Sequence, residues 1–184
     1  MRVIGGTLKG RKLATIRGTI IRPTADRLRE AIFNILADRV EKAVVLDLFA
    51  GTGALGIEAL SRGSQSAVFV DNSKSAIATL KKNIRYCAIQ ENATIIKWDI
   101  LKNLKFIKSF DPAFDLIFLD PPYNKDCIKP VLNNLYRNGA LEKGTCLVIE
   151  HSDCEPVPKE IPVFDITDER RYGRTLVSFL HYEP

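Results

Sequence analysis

Asp120, Pro121, Pro122 and Tyr123 close an apolar run that begins at Phe114. They bring a carboxylate, carbonyls on residues with no N–H to compete for them, and an aromatic ring to one point. Such a set can grip a planar group that carries an amine. The proline pair fixes φ and cannot continue a strand ladder, so the chain leaves a sheet edge stiffly there. Taken alone, the four residues read equally well as a strand stopped by prolines, with Tyr123 as a packing anchor. What precedes them decides.

Residues 46–56 read LDLFAGTGALG, a formal GxGxxG (Gly51, Gly53, Gly56) directly after an apolar strand and before a helix. Asp71 ends the following strand. Glycines for a tight turn and an acid for a ribose hydroxyl form the dinucleotide fingerprint, which makes an NAD-dependent oxidoreductase a serious reading. Asp47 speaks against it. It stands in the strand just before the loop, where an anionic pyrophosphate above it would be repelled. A sulfonium cofactor bearing an ammonium group and no phosphate would be attracted. Asp99, one residue beyond the third apolar strand, is a further acid at a carboxyl end and suits an adenine amino group. Acids ending strands one, two and three make an anionic pocket fit for a cationic cofactor.

The elements that must position these residues alternate regularly. The sequence predicts a helix from the cap Thr24 to about Asp38, then strand Val44–Phe49 and helix Ala54–Ser61 ending at Gly63. Strand Ala67–Val70 is followed by a helix from the cap Ser73 to about Ala88, and strand Ala93–Lys97 by a short helix near Leu101–Ser109. Strand Phe114–Leu119 leads to a helix over Asp126–Arg137, and Cys146–Ile149 is a fifth strand. Two strand-like runs, Val163–Thr167 and Thr175–His181, flank Tyr172-Gly173 as a terminal hairpin. Alternating strands and helices with near-continuous apolar strands predict an α/β fold, a doubly wound parallel sheet covered on both faces.

The chain has 184 residues, 46% of them hydrophobic, enough for one well-buried core. It shows no apolar run long enough to span a membrane and no signal-peptide core at residues 1–12, so a cytoplasmic location is expected. Four cysteines without CxxC or zinc-ligand spacing read as reduced thiols, with no metal. The net charge of +5 is unevenly placed. Residues 1–29 carry eight Lys/Arg against Asp26 alone, leaving 19 basic and 21 acidic side chains for the remainder. Localised cationic charge rewards a polyphosphate partner through counterion release. The basic residues alternate with Val3, Ile4, Leu8, Leu13 and Ile16, and glycines punctuate them. That pattern reads as an ordered hairpin or short strands rather than a solvated tail. A boundary is expected near Arg22-Pro23, dividing a basic extension (1–21) from the main domain (22–184).

Together, Asp47–Gly53, Asp71, Asp99 and Asp120–Tyr123 resemble the successive motifs of the S-adenosylmethionine-dependent amino-methyltransferases. More narrowly, residues 1–13 (MRVIGGTLKGRKL), 22–36 (RPTADRLREAIFNIL), 46–60, 114–123 and 169–180 resemble the RsmD-type 16S rRNA guanine-N(2) methyltransferases. The resemblance implies a seven-stranded Rossmann-like sheet closed by an antiparallel hairpin, and methyl transfer to a guanine amine of 16S rRNA in the small ribosomal subunit, by a monomer. Asp120 and the Pro121 carbonyl would accept the amine hydrogens, and Tyr123 would stack on the base, with Pro122 completing the motif. Asp47 and the Ala50-Gly51-Thr52-Gly53 backbone would face the methionine part, Asp71 the ribose, and Asp99 with Asn72 and Ile100 the adenine. Arg2, Lys9, Arg11, Lys12, Arg17 and Arg22 would meet RNA phosphates. Thr24, Tyr172 and Arg174 can approach the site or serve local structure only, and His151 and His181 read as structural. The same motif serves adenine or cytosine amines in DNA, so the residues alone leave the nucleic acid open.

Overall fold

The computed structural model describes residues 1–16, 23–138, 141–158 and 160–184. Seven strands are formed: β1 (Val44–Leu48), β2 (Ser66–Asp71), β3 (Ala93–Lys97), β4 (Leu116–Leu119), β5 (Cys146–Ser152), β6 (Phe164–Tyr172) and β7 (Thr175–Tyr182). The helices are α1 (Pro23–Leu36), α2 (Ala54–Ser61), α3 (Lys74–Cys87) and α4 (Ile128–Asn138). One sheet results, in the order β3-β2-β1-β4-β5-β7-β6. The first five strands are parallel, and β7 and β6 close the edge antiparallel.

Alternation along the buried strands assigns each side chain to one of two cores. Val45 points with Phe69, Leu116 and Phe118 toward α1, α2 and α3. Val44, Leu46 and Leu48 point with Ile117 and Leu119 to the opposite face, against α4 and the 3-10 turn Lys105–Ser109. Burial on both faces is why the inner strands are apolar throughout. Strand β6 differs: it is an edge strand, as β3 is at the other end, and reads DITDERRY after Phe164, a polarity that a partner on one side only tolerates.

Three expectations shift. Helix α1 begins at Pro23, because proline's fixed φ suits a first helical position, so Thr24 lies inside the helix rather than capping it. Helix α4 starts at Ile128, since Asn124 (φ 56°) and Asp126 (φ 51°) take left-handed conformations that turn the chain first. The expected helix near 101–109 tightens into that 3-10 turn.

Residues 1–16 fold back on themselves through a single antiparallel bridge, Arg2 to Lys12, rather than through strands. Val3, Leu8 and Leu13 enter the core beneath α1–α3, and each such burial contributes about 1.5–3 kcal/mol. The fully buried Glu58 of α2 accepts the Ile4 and Gly5 N–H groups, both at 2.7 Å. Arg62 lies 2.8 Å and Arg29 3.5 Å from its two oxygens. The boundary expected at residues 21–22 lies outside the described residues, as do Arg17 and Arg22.

Candidate active site

In a doubly wound sheet, ligands bind beyond the carboxyl ends of the strands at the point where strand order reverses. Here that point lies between β1 and β4, which pair directly while their chain continues to opposite edges. Asp47 and Phe49 end one strand and Asp120 the other. Two cavities open above them and share Ile16, Phe49 and Asp120.

The smaller, of about 240 Å³, is walled by the glycine loop, Asp47, Arg29 and Glu150, with Met1 and Ile16 from the amino-terminal segment. Its backbone is held at each turn. Phe49 adopts φ 61° and Gly51 φ 56°, a region that costs a bulky residue about 1–3 kcal/mol. Gly51 N–H donates to Asp71 at 2.9 Å, and Gly56 N–H to Asp47 at 3.0 Å. A β-carbon on Gly56 would strike the Phe69 ring, so the third glycine lets α2 lie close on the sheet. The buried amide of Asn83 donates to the Thr52 carbonyl (2.8 Å) and the Ala14 carbonyl (3.1 Å), and accepts the Ala14 N–H (2.7 Å). One side chain thereby ties the glycine loop to the amino-terminal segment. Burial raises the Asp47 pKa to about 7; the Gly56 N–H opposes that rise and the Asp71 charge adds to it.

The larger cavity, of about 660 Å³, is lined by Asp71, Asn72, Asp99, Ile100, Asp120, Pro121, Pro122 and Tyr123, among others. Asp71 accepts N–H groups on both oxygens, from Gly51 at 2.9 Å and Ser73 at 2.8 Å. Asp99 accepts the Leu101 N–H at 3.2 Å, and Ile100 is buried beneath. The Tyr123 hydroxyl donates to Glu150 at 2.6 Å and lies 3.1 Å from the Thr175 hydroxyl. That tether behind the ring fixes its plane. Desolvation, then the Glu150 charge and hydrogen bond, push the phenol upward, so it stays protonated. At Asp120, protein packed around the carboxyl and then the charges of Glu150 and Asp47 push the pKa well above the carboxylate range. Asp120 opens toward the cleft that both cavities share.

The structure thus gathers Asp47, Ala50, Gly51, Thr52, Asp71, Asn72, Asp99, Ile100 and Asp120–Tyr123 around one cleft. Gly53 does not line it: at φ 81° it precedes α2 and abuts Leu80. Arg2, Lys9, Arg11 and Lys12 are exposed on the amino-terminal segment, away from the cleft lining. Arg2 lies 4.0 Å from Asp26, and Arg11 donates to the Tyr86 carbonyl at 2.9 Å. His151 is buried against Ser178 at 2.8 Å, and His181 meets Arg39 beside β5. Tyr172 packs on the core, while the Arg174 carbonyl accepts the Asp153 N–H. Sequence reasoning misses Ile16, Arg29, Phe49 and Glu150. Glu150 is within reach of the same rule that finds the other acids, being the acid toward the carboxyl end of β5.

The fold and this cleft define a Rossmann-like methyltransferase. Residues 1–181 match the model of the family described as Conserved hypothetical protein 95, and the chain belongs to that family. Ribosomal RNA small subunit methyltransferase D of Escherichia coli K12 is 34% identical over 150 residues, 82% of this chain and 74% of that protein. YlbH of Bacillus subtilis, provisionally named an rRNA methyltransferase, is 38% identical over 178 residues, 97% of each chain. A solved Escherichia coli structure, yhhF, also provisionally named a methyltransferase, superposes with TM-score 0.87 at 31% identity, covering 100% of this chain and 98% of that one. The oxidoreductase alternative falls with these relationships.

Proposed function

We propose that this chain transfers a methyl group from S-adenosylmethionine to the exocyclic N2 amine of a guanine in 16S rRNA. The observation that carries the reading is the position of Asp120, in the wall shared by the two cavities. The smaller cavity is lined by Asp47 and by Arg29, whose guanidinium also pairs with Asp26 and Glu58, and the two complement the ammonium and carboxylate of an amino acid. The larger combines Asp71, Asp99 and Asn72 with the apolar Ile100 and Phe49, which complements an adenosine. The donor set therefore fits S-adenosylmethionine, which supplies an electrophilic methyl group on a sulfonium.

The chain's own residues would do the rest by placement. An aromatic amine is a poor nucleophile because its lone pair is delocalised into the ring. Asp120 and the Pro121 carbonyl accept its two hydrogens and hold the lone pair toward the methyl carbon, a positioning effect. Tyr123, its plane fixed by Glu150 and Thr175, stacks on the base for roughly 1–3 kcal/mol. As positive charge develops on nitrogen, the Asp120 carboxylate stabilises it. A cationic ligand beside Asp120 offsets the crowding by Glu150 and Asp47 and favours the ionised form. A paired base cannot enter such a cleft, so an unpaired or flipped nucleotide is required. The names of the relatives and the basic amino-terminal segment favour rRNA over DNA. The test is labelled-methyl transfer to naked 16S rRNA, assembled small subunits and DNA, followed by nucleoside analysis. N2-methylguanosine from either RNA substrate is expected; label in DNA alone would overturn the reading.

A further inference from the structure

Outside the cleft, one face of the molecule combines exposed cations with an exposed aromatic. Helix α3 carries Lys74, Lys81, Lys82 and Arg85 and no acid, and all four are exposed. Between Asn72 and Trp98 the one carboxylate is Glu91, in the turn after the helix. None of the four cations is ion-paired among the described residues. The arrangement works against the helix itself. Lys81 and Arg85 repel at i,i+4 spacing, and Lys74 sits at the positive end of the helix dipole. Tyr86 is 60% exposed on the same helix. The face is also continuous with the amino-terminal segment: Arg11 donates to the Tyr86 carbonyl and Asn83 holds Ala14, so residues 11–14 run antiparallel beside the last turn of α3.

We infer that the exposed face of α3, with Arg11 and Lys12 beside it, is an RNA-binding track that leads substrate RNA to the cleft. Lys74 to Tyr86 spans about 18 Å at 1.5 Å per residue. Its upper end follows directly on Asn72 in the cleft wall. Lys81, Lys82 and Arg85 bind phosphates, and Tyr86 offers its ring to an unpaired base at the far end. This track rests on the reading of the cleft as acting on RNA, and it extends the RNA surface beyond the segment that the overall charge distribution singles out.

The experiment compares the full chain with K81A/K82A/R85A, K81Q/K82Q/R85Q and Y86A in labelled-methyl transfer to naked 16S rRNA and to assembled small subunits. Thermal unfolding checks each variant's fold. Both triple variants are expected to raise the KM for RNA about tenfold. Their slope of log(kcat/KM) against log salt should flatten by about 2, at roughly 0.7 for each single-strand phosphate left without its cation. The kcat at saturating RNA and the affinity for S-adenosylmethionine should stay unchanged. Y86A should raise KM several-fold without altering the salt slope. A KM and salt slope within twofold of the parent chain in both triple variants overturns the track. A KM change on assembled subunits but not on naked rRNA overturns it in favour of a ribosomal-protein interface. If the parent chain itself methylates no RNA, the proposed function fails first, which separates the two outcomes.

Discussion

The two cavities are built by opposite means. The smaller is shaped by backbone: left-handed turns at Phe49 and Gly51, N–H groups bonded to Asp47 and Asp71, and a carbonyl held by Asn83. The larger is shaped by side chains: the Tyr123 ring is tethered through its hydroxyl to Glu150, and Asp120, in the wall the two cavities share, is crowded by Glu150 and Asp47 from the smaller side. Fixed backbone suits a ligand that is the same at every turnover. A crowded, titratable cluster suits the place where charge appears and vanishes during reaction, since like-charge crowding stores a response to any arriving cation.

That contrast can be broken at its widest point. Asp120→Ala should lower kcat by roughly 10²–10³, the decrease typical of removing one preorganised electrostatic partner, while a calorimetric titration with S-adenosylmethionine stays within a factor of a few. An equal decrease in both would merge the two regions into one. Asp71→Ala, at a residue that lines the larger cavity but restrains the glycine loop of the smaller, should do the reverse. Removing the charged acceptor that also restrains Gly51 is worth about 1.5–3 kcal/mol, or roughly 10–150-fold in Kd, with kcat at saturation little changed.

The pH response sharpens the contrast further. Asp47, with its pKa raised to about 7, is protonated in the free protein below that pH. Its anion is the form that attracts an ammonium. Affinity for S-adenosylmethionine should therefore strengthen up to about tenfold per pH unit from pH 5 to 7 and level off above. Asp47→Asn should flatten that profile. In the ligand-free protein the folded state keeps this proton between pH about 4 and 7, where the unfolded chain has released it. Asp47 therefore makes stability fall as pH rises across that window, which urea melts of the two proteins can read. Tyr123→Phe gives the smallest effect. Without the tether to Glu150 and Thr175, kcat should drop several-fold and the S-adenosylmethionine titration should stay unchanged.

Chemistry makes part of this molecule legible in its sequence. Acids at the ends of apolar strands can be seen in a linear chain because strand, turn and acid are adjacent in it. Asp47, Asp71, Asp99 and Asp120 are found on that ground. Glu150 meets the same rule, one residue past the apolar run that ends at Ile149, but its part in the cleft shows only in the Tyr123 hydroxyl bonded to it. Phe49 hides behind its identity, since a bulky aromatic gives no local sign that it will take a positive φ. The docking of residues 1–16 is legible as alternation but not as burial. Its anchors, Glu58 and Asn83, lie 54 and 69 residues away from the groups they bind, Ile4 and Ala14, and no local pattern carries that information.

The Asn83 amide has a consequence for synthesis. Residues 1–16 are made before the side chain that locks them to the glycine loop, which follows Ala14 by 69 residues. At 5–20 residues per second that interval is roughly 3–14 s. Throughout it Val3, Leu8 and Leu13 have no completed core to enter, while Lys9, Arg11 and Lys12 are already available to polyanions. The later-made amide joins residues 1–16 to the loop of the smaller cavity, so the wall that Met1 and Ile16 supply to that cavity is fixed only after α3 has been made.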